Sequence, residues 1–204
     1  EVIKILRSKN NVTSSLLFLA LSQVIILVLA TLVPDYAQKT LHVSAEDISL
    51  VIFAPAALGT LLSALVIGSK FAHANKEKVI SFGIFLSSII LFLFGVIDQQ
   101  KYFNLVFLSL GITFLAGVAN SCIFVPAQTI VQTHISRKSL SKVYGLLFVV
   151  VGIFAFIPII LAGVFADVLG VRAVLIGMGI LLLLLGLAKV FLFKKKETLL
   201  SKFS

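Results

Sequence analysis

Cysteine is almost absent from this sequence. Cys122 is the one thiol among 204 residues, so no disulfide can form within the chain and no thiolate metal site can be built. Its place inside an apolar run reads as a small packing residue. Acids are scarce too, eight Asp and Glu against seventeen Lys and Arg, and none lies in the central part of an apolar run, where a proton relay would put one. The catalytic signatures are missing: no Gly-x-Ser-x-Gly elbow, no phosphate loop, no His-Glu-x-x-His and no pair of carboxylates within an apolar run. These absences argue against an intramembrane hydrolase and against ATP-driven transport by this chain alone. No catalytic residue, metal ligand or cofactor is expected. No cleavable signal sequence is expected, and the first residue is Glu1, not Met. The charged start therefore reads as a linker within a longer protein.

What is present is apolar. Hydrophobic residues make up 60% of the chain, more than a soluble domain of this size carries. A helix needs about 20 mostly apolar residues to cross roughly 30 Å of hydrocarbon. Six runs qualify, at residues 14–34, 48–68, 79–97, 103–127, 143–166 and 173–193. They lack the alternation of lipid-facing barrel strands, so the expected fold is an all-α membrane protein of six transmembrane helices. Residues 1–13 form the expected linker and residues 194–204 a basic tail.

The formal charge of +9 would suggest nucleic acid in a soluble protein. Here the bases sit in alternate gaps between the runs, so no nucleic-acid partner is expected and the lipid bilayer is. Lys4, Arg7, Lys9, Lys70, Lys76, Lys78, Arg137, Lys138, Lys142, Lys194, Lys195, Lys196 and Lys202 share one side, with Lys189 snorkelling from the last run. The opposite side holds Lys39, Lys101 and Arg172 with the acids Asp35, Glu46, Asp47, Asp98 and Asp167. The positive-inside rule then puts both termini in the cytoplasm.

An internal repeat follows from the spacing. Val33-Pro34, seven residues, His42-Val43-Ser44 and then Ile48-Ser49 recur 92 residues later as Val125-Pro126, seven residues, His134-Ile135-Ser136 and then Leu140-Ser141. Each copy falls where the first helix of a three-helix unit is expected to end. Three runs separate the copies, so they face opposite sides, the pattern of two inverted three-helix repeats. Neither His has a second ligand spaced to join it, and both read as interfacial loop residues. Ser44-Ala-Glu-Asp47 reads as a capping box for the second helix.

Several residues stand out within the runs. Ala56, Thr60, Ala64 and Gly68 form a four-residue ladder with Gly59 and Ser63 beside it, a surface on which another helix backbone can approach closely. Pro55 and Pro158 interrupt the second and fifth runs and are expected to kink them. Gly68 and Gly163 close those same runs, and small residues there allow tight turns. The fourth run is the polar one. Ser109, Thr113, Gly117, Asn120, Ser121, Gln128 and Gln132 fall along one helix face, and lipid cannot satisfy them. Gln23 of the first run lies at a depth similar to Asn120 and Ser121. This face is either hydrogen-bonded glue between helices or the lining of a cavity for a small-molecule substrate.

These residues resemble the C-terminal half of a major facilitator superfamily transporter, across essentially the whole chain. The stretch Val125-Pro126-Ala127-Gln128 through Val143-Tyr144-Gly145-Leu146-Leu147 is similar to the helix ten–eleven junction of bacterial drug-efflux-like members. The resemblance implies half of that superfamily's fold, with an N-terminal six-helix half as partner and efflux of amphiphilic small molecules in a bacterial cytoplasmic membrane. It also implies that the cavity is lined by the first and fourth helices, through Gln23, Asn120 and Ser121. The superfamily's gate motif, a Gly followed by an acid and a basic cluster, would fall at Gly68, Ala72, Asn75, Lys76 and Lys78, with Ala72 replacing the acid and Asn75 the later glycine. Gly163, Asp167, Gly170 and Arg172 keep more of that pattern, on the opposite side.

Overall fold

The computed structural model describes residues 10–71, 74–96 and 105–201. Lys4, Arg7, Lys9, Ala72, Asp98, Lys101, Lys202 and the Phe103 start of the fourth run lie outside them. The described residues hold six long helices: α1 (Asn10–Lys39), α2 (Ala54–Ser69, entered through a π-helical turn at Ser49–Phe53), α3 (Lys76–Val96), α4 (Leu105–His134), α5 (Arg137–Leu169) and α6 (Val171–Ser201). All six are long and apolar enough to cross a membrane, and no strand occurs among the described residues.

The helices outrun the apolar runs. Lipid offers no partner to a backbone amide or carbonyl, so a helix continues until it reaches groups that can take over. Both copies of the repeat span a helix junction as expected, with α1 ending at Lys39 and α4 at His134. Val33-Pro34 and Val125-Pro126 lie inside α1 and α4, not at their ends. α1 closes beyond its proline, where the amides of Thr40 and Leu41 both return to the Tyr36 carbonyl and His42 takes a positive φ of 50°. In the second copy His134 is still helical, and only Ile135 and Ser136 separate α4 from α5. Helix also covers residues 10–13 of the expected linker and residues 194–201 of the expected tail.

Pro55 follows directly on the π turn at Ser49–Phe53, so the change of winding falls where its missing amide would interrupt the ladder. Pro158 lies inside α5. The capping box takes a modified form: Ser44 Oγ accepts from the Asp47 amide at 3.3 Å and donates to the Asp47 carboxylate at 2.7 Å. At the second copy Ser136 precedes α5 in extended conformation without a side-chain cap, its hydroxyl donating to Ser139 Oγ.

Packing fixes the helix directions. Ala56 and Thr60 of α2 meet Gly117 and Ser121 of α4 in the same sequence order, so those helices run parallel. The start of α3 meets the end of α6 through Glu77 and Lys189, and its end meets the start of α6 through Gly95 and Arg172, so that pair is antiparallel. α1 runs with α3, Phe18 lying beneath Lys189 and Tyr36 beside Phe94. α1 and α4 therefore point in opposite directions, and the two three-helix units are inverted copies. One end of the bundle carries the start of α1 and the end of α6, the termini end. The core has two layers. Val12, Leu19, Ile80, Ile84, Val131 and Val143 fill the termini end, and Val28, Leu32, Ile90, Leu91, Ala166 and Leu175 are part of the far end.

Candidate functional site

A cavity of about 450 Å³ opens between α1, α2, α3 and α4, with Leu175 of α6 at its edge. Its walls are mostly aliphatic and aromatic, and among the described residues no Asp, Glu, Lys, Arg or His faces it. The polar side chains are unevenly placed. Ser22, Thr60, Ser87 and Asn120 come from the middle of their four helices and form the floor, while Tyr36, Phe53 and Phe94 stand nearer the far end.

Each wall is built by a recognisable local device. α2 and α4 come together backbone to backbone. A Cβ on Gly117 would collide with the Ala56 carbonyl and one on Gly59 with the Phe114 carbonyl. The gap is bridged by hydroxyls: Thr60 Oγ1 donates to Ala56 O at 2.9 Å and reaches Gly117 O at 3.2 Å, and Ser121 Oγ donates to Thr60 O at 3.2 Å. α3 packs equally closely on α6, with Ser88 Oγ donating to Gly179 O at 2.7 Å. The far end is closed by Tyr36, whose hydroxyl donates to Phe94 O at 3.0 Å while its ring meets Phe94 edge-on at 5.5 Å. Phe94 lies in the last described turn of α3. Arg172 serves the next two carbonyls, Nε donating to Gly95 O at 3.1 Å and Nη2 to Val96 O at 3.3 Å.

The polar residues expected to form one site divide between roles. Thr113 and Asn120 line the cavity. Thr113 is buried, its hydroxyl donating to Ser109 O at 2.8 Å, and Asn120 is half-buried with no hydrogen-bond partner among the described residues. Ser121 is fully buried in the α2–α4 seam, so it acts as glue and not as lining. Gln23 and Gln128 are half-buried and lie off the cavity wall, and Gln132 is exposed. On α1 the lining position is Ser22, one residue from Gln23. Seam and lining share one helical face because α4 turns successive small and polar positions toward two neighbours at once.

The loop motifs are also redistributed. Neither Gly68 nor Gly163 makes a close approach, since a Cβ on either would meet nothing within 4 Å. The small-residue ladder of α2 thus packs through Ala56, Gly59 and Thr60 and ends before Gly68. Lys76 is half-buried and Lys78 exposed, and Asn75 caps α3 through its side chain, accepting from the Glu77 amide at 3.1 Å. Gly170 has φ 84° and is the single residue between α5 and α6, a position that needs glycine. Asp167 is exposed on the last turn of α5, and Cys122 is buried against Gly83.

A family model described as Major Facilitator Superfamily matches residues 13–204. The chain belongs to the major facilitator superfamily. Its six spans are consistent with one half of that superfamily's fold, and it is an integral, multi-pass membrane protein of a family of transporters, not enzymes. No curated protein and no solved structure matches the chain at a significant level.

One pairing in this major facilitator chain was not anticipated from its sequence. Lys189, expected to snorkel to solvent, is only 11% exposed and pairs with Glu77, itself 24% exposed, at 3.1 Å. It also donates to Glu77 O at 3.2 Å and lies 4.3 Å from the centre of the Phe18 ring. A base inside the last span is therefore held in place by α3 and α1. The available signal was a lysine inside an apolar run, but its acid is 112 residues away. Tyr36 was missed for a similar reason. A tyrosine near a span end reads as an interfacial anchor, and its partner carbonyl lies on another helix.

Proposed function

We propose that this chain is the C-terminal half of a secondary transporter that exports amphiphilic small molecules by alternating access. It would rock against an N-terminal six-helix half around the cavity floored by Asn120. The observation that carries the reading is the cavity itself: an apolar chamber with polar groups at mid-helix depth, walled by both inverted units of a major facilitator fold. The clustering of bases beside alternate spans supports a bacterial cytoplasmic membrane with both termini inside. The gate motif falls on Gly68, Lys76 and Lys78 at the termini end, with Gly163, Asp167, Gly170 and Arg172 at the other. A second reading, a non-transporting sensor or assembly partner with a degenerate major facilitator fold, draws support from the absence of charge on the described cavity wall.

Reading the coding sequence upstream of Glu1 is the first test, with six further spans expected. The protein so defined, reconstituted in proteoliposomes, is expected to move lipophilic dyes against a gradient. Correct insertion with no movement across a panel of dyes would favour the sensor reading.

A further inference from the structure

The cavity has two chemically different ends. At the floor, Ser22 Oγ donates to Leu19 O at 3.0 Å and Thr60 Oγ1 to Ala56 O at 2.9 Å, so their hydrogens are engaged and their lone pairs remain to accept. Asn120 and Ser87, both half-buried, have no hydrogen-bond partner among the described residues. They bring free donors as well as acceptors. At the far end the polar side chains on the wall already donate, Tyr36 to Phe94 O and Thr113 to Ser109 O, and keep only lone pairs to accept. A bound molecule therefore finds free hydrogen-bond donors at the floor alone among the described residues. Among the described residues no ionised group faces the cavity, so a charged head would lose its water without gaining a counterion from them.

The geometry points to a specific ligand class and pose: an uncharged single-headed amphiphile, with an amide or hydroxyl head against Asn120 and Ser87 and its apolar body extending toward Phe53 and Phe94. The volume, about 450 Å³, falls within the range of pockets that hold drug-sized molecules. Two of these contacts, Ser87 and Phe94, belong to α3. The site thus reaches beyond α1 and α4, and Asn120 is its specificity-determining residue. The physiological meaning rests on the transport reading, whereas binding itself is separable from it.

The chain contains no tryptophan, so Phe53→Trp, at a position 50% exposed, places a single fluorophore at the apolar end. The variant, held in phosphatidylcholine nanodiscs, is titrated with 12-bromododecanamide, 12-bromododecylamine, 12-bromododecanoate and 1-bromododecane. Saturable quenching by the amide is expected at an apparent Kd about tenfold below each of the others. Asn120→Leu in the same background should erase the advantage of the amide over the hydrocarbon and leave the hydrocarbon unchanged. Ser87→Ala, the milder change, should weaken amide binding about threefold if the leucine variant does not fold. 2-Bromododecanamide, with bromine beside the head, should bind as well but quench less. Tighter binding of the amine or carboxylate, an amide preference indifferent to both substitutions, or stronger quenching by the head-brominated isomer would overturn the assignment. Saturable amide binding without dye movement would overturn the transport reading and leave this one standing.

Discussion

Four helices and two helices are held in different ways. α2, α4, α3 and α6 form a chain of backbone-close seams: Gly59 and Gly117 between α2 and α4, Gly83 against Ala119 and Cys122 between α3 and α4, and Gly95 and Gly179 between α3 and α6. α1 contains no glycine, and Gly145, Gly152 and Gly163 of α5 would each meet nothing within 4 Å if given a Cβ. These two helices lie on the block through side chains, with Val12 and Leu19 of α1 sharing an apolar cluster with Val143, Leu147 and Val151 of α5. In lipid, helix association draws on packing and hydrogen bonds more than on expulsion of water. Seams keyed by glycine therefore hold one register, whereas seams made of side chains tolerate small shifts. The cavity lies where the two kinds meet, with α1 on one side and the keyed block on the other.

The largest effect is expected from Gly117→Val. Its side chain has no space before the Ala56 carbonyl, and forcing α2 and α4 apart should cost about 3 kcal/mol or more in SDS-induced unfolding from detergent micelles. A wild-type unfolding midpoint would dissolve the distinction between the glycine-keyed block and the two helices that lie on it. Glu77→Ala should come next. It strands the Lys189 ammonium among α1, α3 and α6 and should cost about 2 kcal/mol, partly recovered in the double variant Glu77→Ala/Lys189→Met. A double variant no better than the single would show that the pair does not fasten the termini end. Tyr36→Phe keeps the ring and loses the hydroxyl that ties α1 to α3, so a loss of about 1 kcal/mol is expected. Faster hydrogen exchange should appear in the last turn of α3 without change in α2, and a change spread over all helices would contradict a local tie. The smallest effect belongs to Gly152→Ala, which should shift stability by less than about 0.5 kcal/mol, or raise it slightly through helix propensity.

How far the sequence led can be judged residue by residue. Run length was enough for six helices because it follows from a one-dimensional rule about lipid. The inverted units were visible in the recurrence at Val33 and Val125, although the helices pass through Pro34 and Pro126 and end later. Polarity singled out α4, and Asn120 and Thr113 of that helix line the cavity. It did not separate Asn120 from Ser121, which differ by about 100° around the axis and so face different neighbours. Gln23 and Ser22 are confused for the same reason. The Glu77–Lys189 pair and the Tyr36–Phe94 contact depend on which helices are adjacent, and no local pattern carries that information.

Gly170 bears on how the chain is made. With a single residue joining α5 to α6, the two spans have no slack in which to turn independently. During biosynthesis they must enter the bilayer together as a hairpin, and the direction taken by α5 dictates that of α6. Lengthening this link would loosen that dependence, and Lys194, Lys195 and Lys196 near the end of α6 would then have to orient the last span by themselves.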